Sequence, residues 1–394
     1  MIIPEAQRLS TVQEYYFSKK LREIAQRKAQ GQPILNLGIG NPDLPPAPSV
    51  LHALQQAIGQ PNNHGYQSYR GIPELRAAFG QWYLDHFQVQ LDPESEILPL
   101  IGSKEGIMHL SMAFLGEGDQ VLVPNPGYPT YRAAAQLAGA EVVEYTLRAE
   151  QGWYPDLNAL SQLDLRRIKI MWLNYPHMPT GTPANAERLQ ALIQFAKMHR
   201  ILLVNDNPYS FILNERPFSL LSIPGAEEVV LELNSLSKSH NMAGWRVGAL
   251  FGRADYLNTV LKFKSNMDSG MFRAVQLAAV EALKLPTDWY ANLNVTYQKR
   301  RALVFNLLDA LDCTYQVDQV GMFVWARIPD RFDNSFAMSD HLLDQANVFI
   351  TPGGIFGTSG EAYIRASLCL SEPVLLEATR RIVALEKPVQ VERN

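Results

Sequence analysis

Short apolar runs recur through the middle of the chain, near 97–101, 120–123, 141–147, 169–174, 201–205, 229–234 and 246–251, with helical stretches between them. Runs of this length, bounded by turn residues, read as buried strands. Strands that alternate with helices predict a mostly parallel sheet covered on both faces. The stretch from Pro183 to Lys197 places its apolar residues at helical spacing, with Pro183 in the expected first turn. Ahead of this block, an amphipathic helix is predicted from about Val12 to Gln30, followed by an extended piece rich in Gly and Pro. After about residue 286 the pattern changes. A long polar helix from Asp288 to Leu311 leads to strands near 314–317, 321–328 and 363–368, with helices near 335–346 and 372–386. The expected division is therefore a large α/β domain over 46–285 and a smaller α+β domain made of 1–45 together with 286–394. Prolines such as Pro42, Pro45, Pro46 and Pro48 are expected in loops.

Composition narrows the function classes. The chain has 394 residues, enough for two or three domains at ~150 residues each. Its apolar fraction of 47% suits a large core. A net charge of −4 and the lack of a long basic run argue against a nucleic-acid partner. No run approaches the ~18 apolar residues of a membrane helix, and the start, Met1 to Arg8, shows no export signal. Cys313 and Cys369 are the two cysteines, and they read as buried thiols in a reducing, cytoplasmic compartment. The eight His are scattered, so no metal site is expected.

The candidate chemistry lies at the ends of the expected strands. Lys238 follows the run ending at Asn234, within Ser235-Leu-Ser-Lys-Ser-His-Asn-Met-Ala-Gly-Trp-Arg-Val-Gly248, and Arg246 begins the next run. In open α/β sheets ligands bind at strand ends, and a lysine desolvated there has the neutral amine that attacks carbonyls. Taken alone, Lys238 reads as a surface lysine in a polar loop. Three further groups change that reading. Asp206 follows the run Arg200 to Val204, with Tyr209 three residues later; a carboxylate can keep a pyridine nitrogen protonated while a phenol donates to a ring oxygen. Alone, Asp206 reads equally well as a turn cap. Gly102 and Ser103 follow the run Ile97 to Ile101, and a helix is predicted from about Lys104. Free N–H groups at a helix start, with a hydroxyl beside them, form an anion site, although an ordinary N-cap looks the same. Finally, Arg246 and Ser235 flank Lys238 and can grip one phosphate; alone, Arg246 reads as a strand-edge ion pair.

These parts describe one ligand, a phosphorylated pyridine aldehyde held as a Schiff base, which is pyridoxal 5′-phosphate. From Asn36-Leu-Gly-Ile-Gly-Asn-Pro-Asp43 to Tyr363-Ile-Arg-Ala-Ser367 the chain resembles the class I/II aminotransferases, the fold-type I pyridoxal-phosphate enzymes. The resemblance implies a seven-stranded, mostly parallel sheet sandwiched by helices, with the smaller α+β domain beside it. It implies that Lys238 forms the internal aldimine and shuttles the α-proton, Asp206 pairs with the pyridine nitrogen and Tyr209 donates to O3′. Ser103, Lys104, Ser235 and Arg246 would hold the phosphate, Ser103 and Lys104 partly through main chain. Tyr128 is similar to the aromatic that stacks on the ring. Tyr66, in His64-Gly-Tyr-Gln-Ser-Tyr-Arg-Gly71, is similar to the tyrosine that reaches the neighbouring subunit's phosphate, which implies a homodimer with shared sites. Arg365 would clamp the substrate carboxylate, with Gly40 against it.

One position departs from the family pattern. Met178 stands where the family carries an Asn that donates to O3′, and a thioether cannot donate. Asn174, and after it His177, are the candidates to compensate. The implied activity is transfer of an amino group between an L-amino acid and a 2-oxo acid by a ping-pong route. A lyase on the same fold, such as a C–S lyase, is the alternative. A transcription regulator is disfavoured, since only about 35 residues precede the expected cofactor fold. Lys264-Ser-Asn-Met-Asp-Ser-Gly-Met-Phe272 is similar to a segment of diaminopimelate- and alanine-type members. It carries no arginine of the kind that makes aspartate-specific members select a side-chain carboxylate. Tyr15 or Tyr16 is a further candidate for the pocket wall.

Overall fold

The computed structural model describes residues 2–386. Its centre is a seven-stranded sheet in the spatial order Ile97–Leu100, Gly248–Gly252, Val230–Ser235, Leu202–Asp206, Ile168–Leu173, Gln120–Asn125, Glu141–Thr146. All seven predicted runs are therefore strands. Five pair in parallel, from Val230–Ser235 to Glu141–Thr146. Gly248–Gly252 runs antiparallel to both of its neighbours. The central strands are buried at nearly every position, which is why the sequence shows continuous apolar runs rather than alternation.

The sheet divides two apolar layers. Leu98, Leu110, Val121, Ile170, Val204 and Leu233 belong to one. Leu122, Met171, Leu173, Leu203 and Val230 face the other, which is continuous with Met322, Val324, Ile350 and Ile364 of a second sheet. That second sheet is antiparallel, in the order Thr351–Pro352, Tyr363–Ser367, Phe323–Arg327, Thr314–Tyr315. Leu35–Asn36 pairs in parallel with Val348–Phe349, which ties the N-terminal stretch to the C-terminal third. A bidentate pair reinforces the tie: buried Arg300 donates to both carboxylate oxygens of Asp43, at 2.6 and 2.9 Å.

Several boundaries differ from expectation for local reasons. The first long helix is Tyr16–Ala29, not Val12 to Gln30, because Tyr15 is extended and turned into the pocket described below. The helix expected from Pro183 spans Ala186–His199; the Asn185 side chain accepts from Arg188 N–H at 3.0 Å and sets its start, leaving Pro183 outside. Pro48 is not in a loop but opens the helix Pro48–Ile58. Arg246 precedes its strand rather than beginning it, in a left-handed conformation with φ of 57°. The strands expected over 314–317 and 321–328 are shorter, Thr314–Tyr315 and Phe323–Arg327.

Candidate active site

The parallel strands deliver their chemistry to one edge. Asp206 ends one strand, Asn174 follows the next, and Ser235 ends a third and leads through one short turn to Lys238. The antiparallel strand brings Arg246 to that same edge. Its first residue, Gly248, pairs with Ser235 on one side and Leu100 on the other, so the residues before it meet the residues after Leu100. A cleft of about 400 Å³ opens there. Its lining includes Gly40, Ser103, Lys104, Tyr128, Asn174, Asp206, Tyr209, Ser235, Lys238, Arg246 and Arg365. Eleven of the twelve expected site residues are thus brought together. The exception is Tyr66, 93% exposed and outside the cleft.

One end of the cleft is built for an anion. The helix Ser103–Phe114 begins there, with its free N–H groups. The Ser103 hydroxyl is buried without a partner. Gly102 has a φ of 85°, and a Cβ on it would overlap the Arg246 guanidinium. Only glycine lets backbone and guanidinium approach this closely. Arg246 is oriented by Ala243 O at 2.9 Å and Ser237 Oγ at 3.4 Å. The Lys104 side chain points elsewhere, its ammonium 4.7 Å from the centre of the Tyr15 ring. Burial and the nearby Arg246 charge lower its pKa.

The same cleft holds an acid. Asp206 Oδ2 accepts from the Tyr131 hydroxyl at 3.1 Å, while Oδ1 is buried without a partner. Burial pushes the Asp206 carboxyl up to about 7, against the opposing effect of the Tyr131 hydrogen bond. Such a group lacks a cationic N–H partner. Lys238 lines the same cleft and feels the charges of Arg365, Arg246 and Asp206. Its Nζ donates to the Gly40 carbonyl, and burial lowers its pKa. Gly40 has no room for a side chain, since a Cβ would overlap the Phe323 ring.

Arg365 forms the remaining wall. It donates to Gly38 O at 2.9 Å and lies against the Met178 sulfur at 3.2 Å, and its Nε has no partner. Three aromatic rings surround it, Phe323 at 3.8 Å, Phe356 at 4.7 Å and Phe17 at 5.6 Å. Burial brings its pKa down to about 10. Met178, read from sequence as a lost donor, also supports this guanidinium. Asn174 faces the cleft, with its carbonyl oxygen accepting from Met178 N–H at 2.8 Å and its amide donating to Asp206 O. His177 is not in the lining. Its Nδ1 pairs with Thr180 Oγ1 at 2.8 Å, and burial lowers its pKa to about 3. Of the two N-terminal tyrosines, Tyr15 lines the cleft, while Tyr16 packs edge-on against Phe336.

Sequence reasoning missed Phe17, Leu21, Phe323 and Phe356 in the lining, and Tyr131 behind Asp206. Tyr131 alone carried a signal, three residues after Tyr128 on the first turn of the helix Pro129–Leu137. Outside the cleft, ligand atoms of Glu105, His109 and Asp268 lie within 4.8 Å of one another. The buried Lys264 ammonium, 2.6 Å from Asp268, already supplies a cation there.

Comparison with known proteins gives the family. The family model for aminotransferase class I and II matches residues 32–382. The LL-diaminopimelate aminotransferase of Dehalococcoides mccartyi strain 195 is 40% identical over 372 residues, covering 94% of this chain and 96% of that one. The enzyme of the same name from Desulforudis audaxviator is 41% identical, covering 97% and 98%. Among solved structures, substrate-bound BacF from Bacillus subtilis superposes with a TM-score of 0.94 at 34% identity, covering 98% of each chain. A Thermus thermophilus aspartate aminotransferase mutant reaches 0.90 at 26% identity, covering 97% and 100%. The chain belongs to the class I and II aminotransferases, with the fold-type I architecture. It is a pyridoxal-phosphate-dependent aminotransferase. The lyase alternative draws no support from these relatives. Among the described residues no helix is long and apolar enough to cross a membrane.

Proposed function

We propose that this chain moves an amino group between an L-amino acid and a 2-oxo acid in two half-reactions at the Lys238 cleft, and that the residues named above divide the work. The observation that carries the reading is a single cleft that gathers a helix start with an unpartnered hydroxyl, a buried acid with one unpartnered oxygen, a buried amine and a guanidinium with no carboxylate partner among the described residues. Bound pyridoxal phosphate supplies an aldehyde for the amino group and a ring that delocalises the charge left when the α-proton departs. The Ser103–Lys104 main chain, the Ser103 and Ser235 hydroxyls and Arg246 hold the phosphate. Asp206 Oδ1 holds the proton on the ring nitrogen. Tyr128 stacks on the ring, and Tyr209 donates to its O3′ with Asn174 beside it. Arg365 fixes the substrate carboxylate, with Gly40 against it. Lys238 Nζ removes the α-proton and returns it; burial lowers its basicity and so favours the neutral amine that takes the proton.

LL-diaminopimelate, the substrate in the relatives' names, is the first amino donor to test. The Lys104 ammonium over Tyr15 is a cation free for a second carboxylate. With a panel of L-amino acids, each productive donor is expected to give its 2-oxo acid in one equivalent per site, and turnover to begin only when a 2-oxo acid is added. Continuous 2-oxo acid release without an acceptor would reject transamination in favour of a lyase.

The active form is a homodimer. Tyr66 is 93% exposed, and Tyr69, Met267 and Phe272 near it are 44, 50 and 41% exposed. Gly270 lies against the Gln67 and Ser68 backbone, and Phe272 meets His64, so the two segments are neighbours. In the dimer the partner subunit's Tyr66 completes the anion cup. Tyr66→Phe is expected to leave the dimer intact in sedimentation and to raise the cofactor dissociation constant about tenfold, the effect of one hydrogen bond to a charged group. A monomer that retains full cofactor affinity would refute this arrangement. The cytoplasm is the expected compartment, in keeping with the buried, unpaired Cys313 and Cys369.

A further inference from the structure

The Asp206 carboxylate has one hydrogen-bond partner among the described residues, and that partner is Tyr131. The hydroxyl donates to Oδ2 at 3.1 Å and leaves Oδ1 alone. The tyrosine is not free to turn away. Its ring is 1% exposed, lies flat on Trp172 with centroids 4.8 Å apart and planes 5° apart, and meets the edge of Tyr128 at 5.6 Å. Trp172 is anchored in the strand next to that of Asp206, opposite Val204. The support is thus a stack of aromatic rings on the sheet, with a hydroxyl at its end.

The other groups around Asp206 do not substitute. Glu232 raises its pKa but is closed on itself, accepting from Ser219, Asn205, Tyr83 and Leu220 N–H. Lys238 acts on it only through charge and donates to Gly40 O, while Tyr128 and Tyr209 contribute no bond to it. Burial and the Asp206 charge hold the Tyr131 phenol well above its ordinary range, so it remains a donor at any working pH.

We propose that Tyr131 is a positioning residue for the cofactor: by holding Oδ2 it fixes the rotation of the Asp206 carboxylate and aims Oδ1 at the ring nitrogen. A carboxylate that can spin presents either oxygen, in any plane, and loses orientation when the ring arrives. One held on a rigid stack meets the N–H with its orientation already set. The inference rests on the reading of Asp206 given above, and its test separates the two.

Tyr131→Phe keeps the ring and its stack and removes only the donor. It is expected to raise the pyridoxal-phosphate dissociation constant, measured by titrating the cofactor-free protein, about 10- to 100-fold, the range for losing a hydrogen bond to a charged group. The visible-absorbance pH titration of the loaded protein is expected to shift, and kcat to fall about tenfold while KM for the amino acid changes less than about twofold. In an Asp206→Ala background the same change is expected to add less than about a twofold loss, because a residue acting through a carboxylate has no acceptor left to act on. Wild-type cofactor affinity and pH titration in Tyr131→Phe overturn the proposal. So does an equal loss in both backgrounds, which marks a packing role. If Asp206→Ala alone binds cofactor as the wild type does, the reading of Asp206 fails, and this one with it.

Discussion

Lys238→Ala is expected to abolish turnover, by at least about 10⁴-fold, the upper range for a positioned acid–base group. No other residue in the cleft can replace it. Among the described residues Lys104 is the only other amine in the lining, and its ammonium lies over the Tyr15 ring. The fold is expected to survive. The substitution leaves Gly40 O without the Lys238 donor, a cost of about 1 kcal/mol. The thermal midpoint is therefore expected to stay within a few degrees of wild type. The measurement is borohydride reduction of cofactor-loaded protein followed by peptide mapping. In the wild type the label belongs on the peptide containing Lys238, and in the variant the label disappears. Label on any other peptide would displace Lys238 from its role.

Site residues were legible in the sequence where the backbone does the placing. Asp206 and Ser235 end strands, and Lys238 and Ser103 follow strand ends within a few residues. Short aliphatic runs bounded by turn residues locate those ends to within one or two positions. Strand direction is not written in such a run. An antiparallel Gly248–Gly252 and a parallel one have the same apolar pattern, so the route by which Arg246 reaches the phosphate end emerges only from the pairing with Ser235 and Leu100. Contacts between distant segments were equally hidden. Phe17, Phe323 and Phe356 converge on Arg365 from three parts of the chain, and each alone is an ordinary core phenylalanine. Met178 shows the limit of pattern reading. The comparison with the family exposed what the thioether cannot do, but its contact with Arg365 required the fold. Helix starts failed where a tertiary contact outweighed local signals, as when the pocket drew Tyr15 out of the first helix.

Arg365 carries the second large expected effect. Arg365 is 4% exposed, yet among the described residues its partners are a carbonyl, a thioether and three aromatic faces, with no carboxylate. With its pKa brought down to about 10 by burial, it is still a cation at neutral pH. A buried charge without a counter-charge is costly in the free protein, and a substrate carboxylate supplies what is missing. Arg365→Met, which roughly preserves volume, is expected to lower kcat/KM for an L-amino acid by about 10²- to 10³-fold, since losing one partner of a buried charge pair costs at least about 2–5 kcal/mol. Arg365→Lys retains the charge without the two-pronged geometry, so it is expected to fall between Met and wild type. The discriminating measurement uses an amine that has the same side chain but no carboxylate. Wild type should prefer the amino acid strongly, whereas Arg365→Met should handle both about equally, because the amine never used the guanidinium. If the substitution slows the amine as much as the acid, Arg365 shapes the site rather than binding the carboxylate. Stability gives an independent check. Removing an uncompensated buried cation while retaining packing is expected to leave the thermal midpoint of the free protein unchanged or higher. A residue that serves binding at the expense of folding should show this opposition, and a purely structural arginine should not.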